Sequence, residues 1–81
     1  MRITVQLFAS LRERAGRDEL VLDALPSALD VAGLKRELAA RHPELGSLAH
    51  VRGALGTNYA SDATALADGA RVFLIPPVSG G

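Results

Sequence analysis

The run Arg71-Val72-Phe73-Leu74-Ile75 stops against Pro76-Pro77, and only Val78-Ser79-Gly80-Gly81 follows. This feature constrains the chain's fold more than any other. Five residues so rich in apolar side chains read as a central strand. Such a strand is buried on both faces, or on one face with the other reserved for a partner. The two prolines end it, because neither donates to a ladder and both hold an extended φ. The rest of the chain must therefore supply sheet neighbours and a cover.

It does so in a definite order. From Arg2 to Phe8, Ile3, Val5 and Leu7 point one way and Arg2, Thr4 and Gln6 the other, which is the period of a half-buried strand. Phe8 falls on the otherwise polar face. Ser10 is expected to cap a short helical turn, Leu11 to Ala15, closed by Gly16 in a left-handed conformation. Leu20 and Leu22 share one face of a second strand, Glu19 to Asp23, which pairs with the first. After a connector broken by Pro26, Asp30 caps an amphipathic helix. Val31, Leu34 and Leu38 form its apolar stripe, with Lys35, Arg36, Glu37 and Arg41 turned away. Arg41 and His42 sit at its carbonyl end, and Pro43 stops it. Leu45 and Leu48 anchor an irregular piece. Val51 to Ala60 is a weaker strand region interrupted by Gly53 and Gly56, with Asn58 at a bend. Leu66 is a buried anchor, and Asp68-Gly69 turns the chain into the last strand.

Strand, strand, helix, strands, strand is an α+β order. The first hairpin is antiparallel, the last strand lies beside the first, and one main helix crosses one face of a mixed sheet. This is the β-grasp, or ubiquitin-like, arrangement. A ferredoxin-like split βαβ would need a second full helix, and residues 43–70 hold too many Gly, Asp, Asn and Pro for one. Residues 1–75 are read as the domain and 76–81 as an extended, flexible tail.

Composition removes several function classes. At 81 residues the chain is one domain that buries only about 60% of its unfolded surface, too little to enclose a deep catalytic cleft unaided. Nine basic residues balance nine acidic ones, so the electrostatic footprint of a nucleic-acid binder is missing. No apolar stretch approaches the roughly 20 residues of a membrane span, and the alternating N-terminus is not a signal peptide. A cytoplasmic location is expected. Cysteine is absent, which excludes disulfides, thiolate metal sites and a cysteine nucleophile in this chain. One lysine, Lys35, stands against eight arginines, so a lysine-linked polymer of the chain has almost nowhere to branch.

The chemistry is expected at the end of the chain. From Pro76 onward the chain should leave the domain as an arm: Pro76, Pro77, Val78, Ser79, Gly80, Gly81. With no Cβ at Gly80 or Gly81, its terminal carboxylate threads narrow passages and approaches phosphates closely. A carboxylate is a poor electrophile. Joined to AMP it becomes a reactive mixed anhydride, which sulfide equivalents convert to a nucleophilic thiocarboxylate. The plain alternative is a frayed terminus.

The chain resembles the small subunit of molybdopterin synthase, the MoaD family of ubiquitin-like sulfur carriers. The likeness spans essentially its whole length. Its most specific part is Asp68-Gly69, Val72 and the ending Ile75-Pro76-Pro77-Val78-Ser79-Gly80-Gly81. Leu7-Phe8-Ala9 with Leu11-Arg12-Glu13 and Gly16, and the helix from Val31 to His42-Pro43, add to it. The chain departs from the family at Ala70, where an Asp is common, and at Gly56-Thr57, where an Asn-Gln turn is common. The resemblance implies that a ubiquitin-activating-like, MoeB-like adenylyltransferase activates Gly81 with ATP and magnesium, and that a sulfur system makes the thiocarboxylate. The tail then enters a MoaE-like large subunit and gives sulfur to a pyranopterin precursor, in a heterotetramer with two large subunits at its centre. The chain would be an enzyme only as that sulfur-donating subunit, with no permanently bound cofactor and no metal.

Strand parity places Phe8, Phe73 and Ile75 off the face formed by Val5, Leu7, Val72 and Leu74. With Tyr59 they make either an apolar patch beside the tail exit or a second small core under the loops. The resemblance sets Phe8, Tyr59 and Ile75 at the partner interface, and Arg12 as a partner contact; otherwise Arg12, Arg14 and Arg17 flank a solvated loop. His42 reads as a helix cap and His50 as isolated from any ligand cluster. Asp62 and Asp68 read as turn residues bonding backbone. Two rivals keep the tail chemistry: a carrier for thiamine or another sulfur pathway, and a tag joined through Gly81 to lysines. A third is a β-grasp adaptor with an inert tail.

Overall fold

In the computed structural model, which describes residues 1–77, the elements are β1 (Ile3–Leu7), α1 (Ala9–Ala15), β2 (Glu19–Leu22), α2 (Val31–Arg41), a 3-10 turn (Pro43–Leu45), β3 (Arg52–Leu55), β4 (Asn58–Ala60) and β5 (Arg71–Ile75). The five strands form one mixed sheet in the order β2-β1-β5-β3-β4. β5 takes the centre that its apolar run demands, parallel to β1 and antiparallel to β3. β1 and β2 are the antiparallel hairpin, with Ile3 opposite Leu22 and Val5 opposite Leu20. This is the β-grasp topology.

One sheet face carries the core. Ile3, Val5, Leu7, Leu20, Leu22, Val72 and Leu74 pack there with Val31, Leu34 and Leu38 of α2, and with Leu11, Leu25, Leu45, Leu48, Val51 and Leu66 from the connections. Each large side chain removed from water contributes up to about 1.5–3 kcal/mol, which offsets the ordering of so short a chain.

The buried start of α2 is fully satisfied. Asp30 accepts from the Gly33 amide through its carboxylate (2.7 Å) and from the Leu34 amide through its carbonyl (2.9 Å). The Val31 and Ala32 amides donate to the carbonyls of Thr64 and Asp62. The three amides that the first turn leaves without helical partners, those of Val31, Ala32 and Gly33, thus find acceptors. The loop that supplies two of them holds Leu66 in the core. At the other end Asp68-Gly69 turns as expected. Gly69 has φ 83°, its amide donates to the Arg2 carbonyl, and the Asp68 carboxylate accepts from the Arg2 amide.

Three local expectations need correction. The first helix starts at Ala9 with Phe8 as its N-cap residue, and Ser10 makes no capping bond. The region from Val51 to Ala60 is a hairpin, β3 and β4, turned by Gly56-Thr57, so Asn58 begins a strand rather than bending one. Lys35 is not a solvated helix residue; its side chain is only 12% exposed. Beyond β5, Pro76 is half-buried. With Pro77 it borders a hollow of about 210 Å³ beside Ser10, Leu11 and Arg14 of α1. Val78, Ser79, Gly80 and Gly81 lie outside the described residues.

Candidate functional site

The sheet face away from α2 is divided into two halves. On the β2 side Arg71 Nη1 donates to Gln6 Oε1 (2.9 Å) and Glu19 Oε2 (2.7 Å), a polar lattice across three strands. On the β3–β4 side the outward residues are apolar apart from Arg52. Phe73 lies opposite Ala54, and Ala54 opposite Tyr59. Phe8, the residue after β1, brings its ring to 6.1 Å from that of Phe73, in a tilted pair of the kind aromatic quadrupoles favour.

These residues line one open groove of about 300 Å³: Phe8, Tyr59, Phe73 and Ile75, with Ala54, Gly56 and Thr57. The structure thereby brings together four of the five residues that the sequence singled out as a surface. They are not a second small core, because Tyr59 is 66% and Phe8 37% exposed. Large aromatics left in water at a concave surface make this groove the candidate binding surface. Arg12 does not join them. It stays exposed on α1, its Nε 3.9 Å from Asp18 Oδ1.

Sequence reasoning missed Ala54, Gly56, Thr57 and Arg52. Ala54 is the groove's floor, and a longer side chain would fill it. Arg52 lies over the Tyr59 ring, its guanidinium carbon 5.2 Å from the centroid, and holds that ring in place with a charged rim above it. The signal was present: a two-residue turn at Gly56-Thr57 fixes Ala54 opposite Tyr59.

Gly53 faces the core from β3, on the opposite side of the strand from Ala54. A Cβ there would meet Val31 Cγ1 at 3.0 Å. With hydrogen as its side chain, β3 rests against α2.

The groove and the chain's exit share a strand. Ile75 lines the groove, and the next residues are Pro76 and Pro77. The remaining candidates fall into structural roles. The His42 amide donates to Leu38 O at the C-terminus of α2, and its ring meets Glu44 Oε2 at 3.2 Å. The Glu44 carboxyl is held below its ordinary value chiefly by its own backbone amide; desolvation opposes this, and the bond and charge of His42 add smaller lowering effects. Arg14 is bound, not free: it donates to Leu45 O (3.0 Å) and ties α1 to the 3-10 turn. His50 is exposed. Among the described residues no three His, Cys, Asp or Glu are grouped to hold a metal, and no helix is long and apolar enough to cross a membrane.

Comparison with known proteins agrees with this geometry. The model of the ThiS family matches residues 5–81. Small archaeal modifier protein 1 (SAMP1) from Haloferax volcanii superposes with a TM-score of 0.84 at 29% identity, over 100% of both chains. A Pyrococcus furiosus protein assigned as subunit 1 of molybdopterin converting factor gives 0.80 at 31% identity, over 96% of this chain and 99% of that one. The complex of subunits 1 and 2 of molybdopterin-converting factor from Helicobacter pylori gives 0.67 at 25%, over 100% of both. A search of curated proteins finds no match. With a β-grasp sheet, a matching family model over nearly its whole length and an ending in Gly80-Gly81, the chain belongs to the ThiS/MoaD family of ubiquitin-like sulfur carriers.

Proposed function

We propose that the chain is the sulfur-donating small subunit of a molybdopterin synthase. The Gly81 carboxylate attacks the α-phosphorus of ATP on a MoeB-like, magnesium-dependent adenylyltransferase, and pyrophosphate leaves. A sulfide equivalent then attacks the acyl carbon, AMP leaves, and a thiocarboxylate remains. In a MoaE-like large subunit that sulfur passes to the pyranopterin precursor, in the cytoplasm and within a heterotetramer. The acid–base groups belong to the partner.

The observation that carries this reading is the continuity of groove and exit. A partner that grips Phe8, Tyr59, Phe73 and Ile75 holds the strand from which the last six residues run. Fully extended, six residues reach up to about 20 Å. Docking and delivery are then two ends of one element, and the domain itself needs no catalytic group. The solved complex of subunits 1 and 2 from Helicobacter pylori supports a large-subunit partner.

Two related readings have support of their own. A carrier for thiamine or another sulfur pathway is compatible with the ThiS family match, and the similarity to SAMP1 favours a protein modifier joined through Gly81. One experiment separates them. The full chain is incubated with ATP, magnesium, the activating enzyme and a sulfur source, and the C-terminal peptide is weighed. Exchange of one oxygen for sulfur at Gly81, followed by formation of the dithiolene product with a large subunit, is expected. Amide-linked adducts without the exchange would favour the modifier, and a thiocarboxylate that no large subunit accepts would favour another pathway. A chain that is never adenylated would overturn all three.

A further inference from the structure

A protein whose own terminus is turned into an acyl adenylate faces a hazard: any accessible amine of a neighbouring copy is an acceptor. Of the nine Lys and Arg residues, eight are arginines. A guanidinium stays protonated and is not acylated under these conditions. Among side chains the hazard therefore concentrates on Lys35; the other amine, the α-amine of Met1, donates to the Leu25 carbonyl (2.9 Å).

Lys35 is held in a clasp. Its ammonium donates to the carbonyl of Val51 (2.5 Å) and to Asp62 Oδ1 (2.9 Å). The side chain is 12% exposed, although the Asp62 side chain is 64% exposed. The two acceptors come from either side of the β3–β4 hairpin, and the Asp62 carbonyl also receives the Ala32 amide at the start of α2. The clasp is thus tied into the same backbone bonds that seat the helix. An exposed ion pair alone would hold little. The half-buried bond to Val51 O is the stronger restraint, because breaking it leaves a main-chain acceptor without a partner.

We infer that the Lys35–Val51–Asp62 clasp withholds this lysine from acylation, and that a chain activated at Gly81 is thereby kept from taking a second copy as its acceptor. This rests on the proposed activation of Gly81. The reaction prevented is a simple acyl transfer. The Lys35 nitrogen would bond to the Gly81 carbonyl carbon, the bond to AMP would break, AMP would leave with its electron pair, and two protons would go to solvent. Attack needs the nitrogen free of both acceptors and turned outward. The clasp makes Asp62 a specificity determinant for carriage over chain formation.

The first measurement does not depend on that reading. The native chain is treated with N-hydroxysuccinimidyl acetate, and acetylation of Lys35 is followed by peptide mass. Nα-acetyl-lysine amide in the same solution is the standard. Native Lys35 should react about tenfold or more slowly than the standard, since both hydrogen bonds must open first. In urea it should match the standard, and Asp62→Ala, with its fold checked by circular dichroism, should lie between. A native rate equal to the standard overturns the inference without any variant. In the second measurement ATP and the activating enzyme are supplied without a sulfur source. Wild type should give no Lys35–Gly81 amide, whereas Asp62→Ala should give dimers that vanish in Asp62→Ala/Lys35→Arg. A Lys35-linked wild-type dimer overturns the clasp's role. Absence of adenylate on Gly81 would overturn the proposed function alone, and the acetylation rates would still decide the clasp.

Discussion

Gly53→Ala tests the seating of β3 on α2. Two effects compete. Alanine reduces the freedom of the unfolded chain and suits a strand better, a gain of about 0.5–1 kcal/mol. Against this, its Cβ would stand 3.0 Å from Val31 Cγ1, with Val72 Cγ1 at 3.9 Å. Val31 and Val72 are both 0% exposed, and Val31 is β-branched in a helix, so neither side chain has a free rotamer to move into. Overpacking of this kind costs about 1–3 kcal/mol. The clash wins, and Gly53→Ala should destabilise by about 1–2 kcal/mol, lowering Tm by roughly 4–8 °C per kcal/mol in a domain of this size.

The decisive arm is the double variant. Val31→Ala alone should cost about 2–3 kcal/mol, because two fully buried methyl groups are lost. In that background the clashing atom is gone, and the added methyl fills part of the space. Gly53→Ala should then stabilise, giving a coupling of about 2 kcal/mol between the sites. Urea unfolding of the four chains, read as midpoints at constant m, measures the cycle. If Gly53→Ala has the same effect in both backgrounds, within about 0.5 kcal/mol, Val31 is not the wall against which β3 rests, and the account of its seating fails.

Tyr59→Ala should cost only about 1 kcal/mol of stability, since the ring is mostly in water and loses little beyond its contact with Arg52, yet weaken binding to a large subunit by about thirtyfold, as loss of an interface anchor does. Calorimetric titration beside urea unfolding compares the two losses, and a larger loss of stability than of binding would return Tyr59 to a purely structural role. Ala9→Gly should raise stability by about 1 kcal/mol, because Ala9 holds φ 50° at the start of α1, a conformation that a Cβ disfavours. An unchanged or lower thermal midpoint would contradict it. Glu44 has a folded pKa below its ordinary 4.5, so its contribution is present above that value and disappears as pH falls through the depressed one. Glu44→Gln should therefore flatten part of the acid limb of a stability profile taken between about pH 7 and pH 3, and a profile identical to wild type would show that Glu44 does not couple to folding.

Under the proposed function, the division of the outer sheet face says how a neutral chain would select its partner. Nine charges of each sign give no net field to steer encounter, so recognition rests on shape and apolar contact. The polar half, locked by Arg71 to Gln6 and Glu19, is internally satisfied and gains nothing from burial. The apolar half has three rings and Ile75 with no cover among the described residues. The proposed partner would thereby be directed to the half that ends in Ile75 and Pro76.

What the sequence revealed depended on where each residue's partners lie. Alternation within Arg2–Phe8 and Arg71–Ile75 is a property of each strand alone. It separated Val5, Leu7, Val72 and Leu74 from Phe8, Phe73 and Ile75, and the sheet keeps that separation. The stripe Val31, Leu34, Leu38 is equally local and is the buried face of α2. Lys35 was misread because nothing near it on the helix marks it. Its acceptors are Val51 and Asp62, 16 and 27 residues away, and a lysine beside Arg36 and Glu37 looks solvated until the hairpin closes over it. Phe8 as an N-cap is a similar case. Ser10 is the better capping residue by type, but Leu7 must complete β1, and that leaves Phe8 the step between strand and helix. The position where local preference lost is also a wall of the groove. A serine at position 8 would suit the start of a helix and would leave Phe73 without its ring partner, so the residue that fits its local structure least is one that the proposed docking needs.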